Sequence, residues 1–384
     1  MEVVTLKYTF MHKNIQILDM EMDDRGYIEK ICNLYNVNHL PVGIHLINGI
    51  VNRGELNDWF RLRSIPASRK GIEWALQQLN ISSTQELLVR SFGLSLSDQY
   101  WIKPFEQDLK WDDINFFYND FSEDIGDLLF GIRDSSENIS FISPDNTSDG
   151  NLKKRWKIIN GDRYLLKSGS GALKQEIYNE VLASRIMDSL NINHIEYRLL
   201  KIDDESYSIC KDFVNDDEDL VPIFRFINQK KMSQNDSSFT HLIKLLEEYN
   251  VPNYRKALDQ MLVIDYLIAN EDRHYNNFGL IRDVNTLEYK GFAPIYDNGC
   301  SLGYSNEHFG EAFNPKWKPF MTNKIQNQLE LVSSFDWLDL NKLAGIELLV
   351  DETYPNTDLY LKRKVEIVQL IKYRINKIKE YIKK

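Results

Sequence analysis

Three side chains in this 384-residue chain have the types and order to carry a reaction: Asp272, Asn277 and Asp297. Asp272 and Asn277 stand five positions apart in NEDRHYNNFG, and Asp297 opens an Asp-Asn-Gly string twenty residues later, in APIYDNG. Phosphoryl transfer asks for this kind of set. It needs a carboxylate to receive or orient the nucleophile's proton, and an amide oxygen with a second carboxylate to hold Mg²⁺ against phosphates. On that chemistry Asp272 is the acid-base group, and Asn277 and Asp297 are the metal ligands. Asp, Asn and Gly also favour turns for local reasons, so neither string alone is specific. Their succession, after a helical run at 254–269 and around a hairpin pattern at 278–282 and 291–296, is what singles them out. Arg273 and His274 read as supports of the catalytic loop, with His274 bracing it through hydrogen bonds.

A nucleotide also needs a cation. Lys167 ends the strand-like run Arg-Tyr-Leu-Leu-Lys, placed to project toward phosphates, and the helix expected over residues 175–190 offers Glu176 and Glu180 to orient it. The string Ser168 to Gly171 has the look of a phosphate loop but follows the lysine, so it reads as a flexible turn. Thr147, Ser148, Asp149 and Gly150, with Lys153 and Lys154 close behind, are the better candidates for that loop. Adenine would be read by backbone groups near residues 211–214, beside Phe213. Residues 155–160 and 163–167 form a hairpin pattern about Asn160-Gly161, and 197–202 with 207–213 suggest a second strand pair. The middle of the chain is thus a small sheet with one helix.

The remainder is read as helical, with runs at 239–249, 254–269 and 358–382. Residues 3–10 alternate like a strand, 68–79 and 83–91 look helical, and Ser83 with Glu86 has capping-box spacing. The expected organisation is an N-terminal region at 1–131, a small lobe at 139–235 and a helical lobe at 236–384. Hydrophobic residues at 43% and aromatics at 12% allow a substantial core, and a net charge of −11 argues against a broad nucleic-acid surface. Lys362, Arg363, Lys364, Lys372, Arg374, Lys377, Lys379, Lys383 and Lys384 read as the solvated face of a terminal helix. Cys32, Cys210 and Cys300 have no metal or disulfide spacing, and Cys300 reads as a buried structural thiol. No apolar run reaches membrane-spanning length, so a cytoplasmic location is expected.

These residues resemble the HipA-like kinases of bacteria, toxin-type Ser/Thr protein kinases whose fold is related to protein and phosphoinositide kinases. The likeness covers residues 139 onward. It rests on Asp272, His274 and Asn277, on Asp297 in APIYDNG, on Lys167, and on Asn179-Glu180 opening an apolar helix. The resemblance implies an α+β, two-lobed kinase-like fold with a small sheet-plus-helix lobe, a mostly helical lobe and a preceding α/β region. It also implies ATP and Mg²⁺ as cofactors, a protein substrate, and an antitoxin-like regulator that would carry any DNA contact itself. Glu180 becomes the partner of Lys167. Gly150, Lys154 and Phe213 join it around ATP. Thr147 or Ser148, with Ser143 as a poorer choice, becomes a site of inhibitory autophosphorylation. Two other readings remain open: a phosphoinositide or small-molecule kinase, and a nucleotide-binding pseudokinase. The first calls for basic residues after the metal turn, where Glu307 and Glu311 precede Lys316 and Lys318.

Overall fold

The apolar alternation at the start of the chain forms β1 (Thr5–His12), the strand expected at 3–10. It lies in an antiparallel sheet with β2 (Ile15–Asp23), β3 (Ile28–Leu34) and β6 (Tyr100–Pro104), in the order β3-β2-β1-β6; β4 (Leu46–Ile47) and β5 (Ile50–Val51) make a separate hairpin. The computed structural model describes residues 5–69, 71–132, 139–148, 150–305, 310, 313, 319–320 and 328–383. Val3, Val4, Asp149, Glu307, Glu311, Lys316, Lys318 and Lys384 therefore lie outside the described residues. Helices α1 (Arg53–Arg61), α2 (Ile72–Gln78), α3 (Thr84–Arg90), α4 (Trp111–Ile114) and α5 (Asp124–Phe130) complete this region. Ser83 caps α3 by accepting from the Glu86 amide at 3.2 Å, but Glu86 reaches back to the Ser82 amide at 3.1 Å rather than to its own cap. Helix α2 is shorter than expected because Ser68 and Arg69 are committed to residues 148–151 instead.

The middle sheet has the order β7-β8-β10-β9, from β7 (Lys154–Ile159), β8 (Asp162–Lys167), β9 (Tyr197–Ile202) and β10 (Glu205–Lys211). Asn160 and Gly161 both take positive φ, 53° and 86°, which gives the β7–β8 turn the twist a two-residue hairpin prefers. Helix α6 (Gln175–Leu190) matches its expected span and is buried on nearly every face. Such a helix is a core element that must be satisfied all round.

The third sheet, β11 (Glu218–Pro222), β12 (Gly279–Asp283) and β13 (Tyr289–Phe292), belongs with the helical part of the chain. Around it are α7 (Ile223–Ile227), α8 (Ser238–Glu248), α9 (Tyr254–Leu267), α10 (Ile346–Thr353) and α11 (Asp358–Ile382). Leu182 and Ile186 of α6, Ile264 and Leu267 of α9, and Ile367 and Leu370 of α11 share one core. Each such side chain contributes about 1.5–3 kcal/mol on burial. The basic face of α11 departs from expectation. Arg374 is fully buried, donates to the Tyr266 carbonyl at 2.7 Å and lies over the Tyr266 ring, while Lys364 is buried against Asp351. Long cationic side chains pack well with their stems, so part of the run is structural rather than solvated. No described helix is long and apolar enough to cross a membrane.

The N-terminal sheet is fastened to the third sheet by buried charge. Asp219 of β11 accepts from Arg282 at 2.8 Å and from the Gln99 amide at 3.1 Å, with His12 Nε2 at 3.0 Å. His12 Nδ1 lies 2.9 Å from His39 Nδ1, and Arg282 also donates to Tyr100 at 2.7 Å. His12 and Arg282 hold the Asp219 carboxyl far below its usual range although burial opposes them.

Candidate active site

Helix α9 delivers the chain to Asp272 through a left-handed stop. Ala269 takes φ 51°, the Asn270 amide returns to the Asp265 carbonyl at 2.9 Å, and the Ala269 amide returns to Tyr266 at 3.3 Å. This is a Schellman arrangement with alanine where glycine is usual, at a cost of about 1–2 kcal/mol. The Asn270 side chain then accepts from the Asp272 amide at 3.0 Å and donates to Asp265 at 2.9 Å.

Arg273 is the hub. Fully buried, it contacts the Asp265 carboxylate at 3.0 Å and donates to the carbonyls of Asn277 and Tyr296 and to Asn298 Oδ1, each at 2.6 Å. One guanidinium thus ties the 272–277 loop to the 296–298 turn. Asn277 Nδ2 donates to the Asp272 carbonyl at 2.9 Å, which leaves its Oδ1 as the outward group. His274 Nδ1 accepts from the Asn276 amide at 3.3 Å, and its Nε2 stands 3.9 Å from Asp272 Oδ2.

Lys167 ends β8 and meets both acidic partners at once. Its Nζ donates to Glu180 and Asp297 at 2.8 Å each and to the Tyr197 hydroxyl at 3.2 Å. Burial alone would lower the lysine, but Asp297 and Glu180 hold it well above its ordinary value. Asp297 moves the other way: against burial, Lys167, Lys154 and Arg273 hold it far below the usual carboxylate range. Burial raises Glu180, although Lys167 pulls it down. The second Glu180 oxygen accepts from the Asn298 amide at 2.8 Å, so α6, β8 and the 297–299 turn share one carboxylate. Asp297 itself sits at φ 57°, a conformation Asp tolerates better than most residues. Asn179 adds a second stitch, donating to the carbonyls of Gly299 and Ser301 at 2.8 and 2.6 Å.

Lys154 faces Lys167 directly across the β7–β8 ladder, so both side chains leave the same face of the sheet. Gly150 has φ 88°, and a Cβ there would lie 2.9 Å from Lys154 Nζ. Thr147 and Ser148 also border the cleft. Thr147 is half-buried and donates to the Pro144 carbonyl at 2.9 Å, whereas Ser148 is buried, donates to the Asp145 carbonyl at 2.8 Å and accepts from Arg69 at 2.8 Å. Ser143 is fully buried beside Asp145, whose carboxyl burial pushes up to about 7. The turn at 168–171 is anchored rather than loose. Ser168 donates to the Lys153 carbonyl at 2.9 Å and Ser170 bonds to Glu176, while a Cβ on Gly169 would lie 2.6 Å from that of Lys174. Phe213 stacks on Tyr296, with centroids 5.6 Å apart, and borders the cleft beside residues 211–214. Cys300, expected to be a buried structural thiol, is instead half-buried and borders the cleft, and burial pushes its thiol up to about 12.

Lys167, Asp272, His274, Asn277, Asp297, Thr147, Ser148, Gly150, Lys154 and Phe213 thus line one cleft, whereas Glu180 and Arg273 are buried and do not line it. The HipA-like C-terminal domain family matches residues 150–357, more than half of the chain. This chain belongs to that family. A curated relative, the serine/threonine-protein kinase CtkA of Helicobacter pylori, is 29% identical over 131 residues, covering 33% of this chain and 40% of that protein. The chain thus spans well under half the length of that relative. The crystal structure of CtkA, described as a proinflammatory kinase, aligns over 58% of this chain and 89% of its own, with 21% identity and a TM-score of 0.44. HipA of Shewanella oneidensis MR-1, solved with HipB and operator DNA, aligns over 96% of this chain and 97% of its own, with 12% identity and a TM-score of 0.55. That near-complete overlap gives the HipA-like chain a two-lobed, kinase-like α+β fold, N-terminal region included.

Tyr197, Asp265, Asn298 and Arg69 belong to the site's surroundings but were not singled out from sequence. Asp265 did carry a signal, a carboxylate inside the apolar run Val263 to Leu267. An unpaired charge there would cost several kcal/mol, so a buried partner is required.

Proposed function

We propose that this HipA-like chain is a Mg²⁺-ATP-dependent kinase that phosphorylates Ser or Thr in a protein substrate. The observation that carries this reading is Lys167, held at 2.8 Å from both Glu180 and Asp297 across the mouth of a cleft that also holds Asp272 and Asn277. Lys167, with Lys154 beside it, binds and orients the nucleotide phosphates, and Glu180 keeps Lys167 in place. Gly150 lets the 147–150 loop approach closely, and adenine lies against Phe213. Asp272 orients the substrate hydroxyl and takes its proton, while Arg273 and His274 keep the loop in shape.

The donor set suits a hard divalent ion. Asn277 presents an amide oxygen, and among the described residues Asp297 Oδ2 has no hydrogen bond while Oδ1 meets Lys167. Among the described residues there is no cluster of three acidic or His/Cys side chains. That fits Mg²⁺ bound by one or two protein ligands together with phosphate oxygens. The ion would neutralise charge on the transferring phosphate.

Inhibitory autophosphorylation falls to Thr147 or Ser148, and the greater exposure of Thr147 favours it. An antitoxin-like regulator is part of the proposal, supported by the HipA neighbour having been solved with HipB and operator DNA. Three free cysteines suit a reducing, cytoplasmic setting. The test is incubation with γ-labelled ATP and Mg²⁺ beside the Asp272→Asn variant, with sites mapped by mass spectrometry. Label in the unmutated protein alone, on Thr147 or Ser148, is expected. Equal label in both, or none in either with ATP bound, would overturn the kinase reading.

A further inference from the structure

The cleft is larger than these roles require. It is continuous over about 1140 Å³, and past Asp272 one wall comes from the N-terminal region, through Pro41, Val42, Trp59, Leu62 and Arg63. The start of α7 lines it too, with Phe224 and Arg225. That helix is fastened to the catalytic loop, because the Phe224 amide donates to the Tyr275 carbonyl at 2.9 Å and the Ile223 amide to Phe278 at 3.0 Å. The N-terminal region is tied to the same part of the chain: the Leu220 amide donates to the Ser97 carbonyl at 2.8 Å, and Lys13 Nζ donates to the Asp216 carbonyl at 2.9 Å.

Arg225 is half-buried, and among the described residues it has no hydrogen-bond acceptor and no carboxylate at ion-pair distance. Its guanidinium rests over the neighbouring Phe224 ring at 5.6 Å. The carboxylates that act on it are paired with other groups, Asp58 with Arg61 at 3.0 Å and Glu55 with His45 at 3.1 Å. Burial pulls Arg225 down to about 10, and Arg63 adds to this while Asp58 and Glu55 oppose it. Arg63 bonds to Asp98 and the Gly93 carbonyl and lies 4.5 Å over the Trp59 ring, yet its buried Nε has no partner. A desolvated cation without a partner is costly unless a ligand completes it. In a chain of net charge −11, a cleft-lining arginine that no described carboxylate pairs points to an anionic ligand.

We propose that Arg225, backed by Arg63 and the Trp59–Leu62 wall, selects substrates by binding an Asp or Glu side chain that flanks the phosphoacceptor Ser or Thr. This rests on the kinase reading and names its substrate class. The nucleotide phosphates do not need Arg225, since Lys167 and Lys154 are offered to them from the β7–β8 hairpin while Arg225 stands on α7.

The test uses the full chain carrying Asp272→Asn, so that binding is measured without turnover. The probes are two fluorescein-labelled peptides built around one Ser, flanked by Asp in one and by Lys in the other. The Asp peptide should bind at least about tenfold tighter by anisotropy, the yield of one charge-assisted hydrogen bond. Adding Arg225→Gln should level the two affinities, and Arg225→Glu should reverse their order, with nucleotide affinity unchanged within about twofold. Equal binding of both peptides, or an acidic preference that survives Arg225→Glu, would overturn the proposal. So would a loss of nucleotide affinity in Arg225→Glu with peptide preference intact. A confirmed acidic preference, with no label transferred by the unmutated chain to any protein, would leave the pocket standing and remove the kinase reading instead.

Discussion

Replacing Arg273 with alanine tests whether the 272–277 loop and the 297–299 turn are one mechanical unit. The side chain is completely buried and contacts Asp265, the Asn277 and Tyr296 carbonyls, and Asn298, so its loss strands groups on three segments. The largest single consequence is Asp265, itself fully buried and left with Asn270 Nδ2 at 2.9 Å. Removing one partner of a buried ion pair costs about 3–5 kcal/mol. The orphaned carbonyls add about 1–3 kcal/mol each if they stay dry, and these terms do not sum because the cavity rehydrates. We therefore expect Arg273→Ala to destabilise by about 3–5 kcal/mol, a large share of a typical margin of about 5–15 kcal/mol. Urea unfolding followed by far-ultraviolet circular dichroism measures this. The double variant Asp265→Asn, Arg273→Leu removes both charges and should regain at least about 1–2 kcal/mol relative to Arg273→Ala, because the unpaired carboxylate is what costs most. A single variant costing under about 1 kcal/mol, or a double variant that costs the sum of its parts, would refute the reasoning.

Three further outcomes follow from other contacts. Glu180→Gln should lower kcat/KM for ATP by about tenfold to a hundredfold, the worth of one charged hydrogen bond, and retain the folded state; unchanged ATP kinetics would remove Glu180 from the site. Gly150→Ala meets both a positive φ of 88° and Lys154 Nζ at 2.9 Å. It should cost about 1–2 kcal/mol and weaken nucleotide binding in titration calorimetry, and a neutral result would show that the loop relaxes freely. The His12–His39 contact predicts a pH dependence. Burial, with His12 and Arg282, lowers His39 from its ordinary value, so the folded protein favours the neutral ring. The contribution of His39 is then fully present above its unfolded value of about 6.5 and is lost as pH falls below it. Urea midpoints between pH 8 and 5 should decline less steeply in His39→Gln, and parallel curves would exclude this residue as the cause.

The legible and illegible parts of this fold divide by sequence distance. Asp272, Asn277 and Asp297 lie within one short stretch where turn chemistry and spacing are read together, and α6 is bounded by an apolar pattern that matches its packing. Lys167 with Glu180 was reachable through the resemblance, because a strand end and the next helix are neighbours. Strand β2 had no clean alternation to announce it, since Ile17, Leu18, Asp19 and Met20 are buried in succession, on both faces of the sheet. The clamp of Arg69 on Ser148 and Gly150 and the bond between His12 and Asp219 join residues 79 to 207 positions apart, and no local pattern encodes such pairs. The same limit hid the N-terminal wall of the cleft, where Arg63 and Trp59 look like ordinary helix-end residues in sequence.

That wall has an evolutionary consequence. The groups that would handle phosphate sit on β8, α6 and the 272–299 segment, whereas Trp59, Leu62 and Arg63 lie in and just after helix α1 of the N-terminal region. Drift in the first sixty-odd residues can therefore reshape what enters the cleft and leave the reacting groups where they are. Relatives that share this cleft can in this way diverge in what they admit to it through their amino-terminal parts, while the segments that carry Lys167, Asp272 and Asp297 stay as they are.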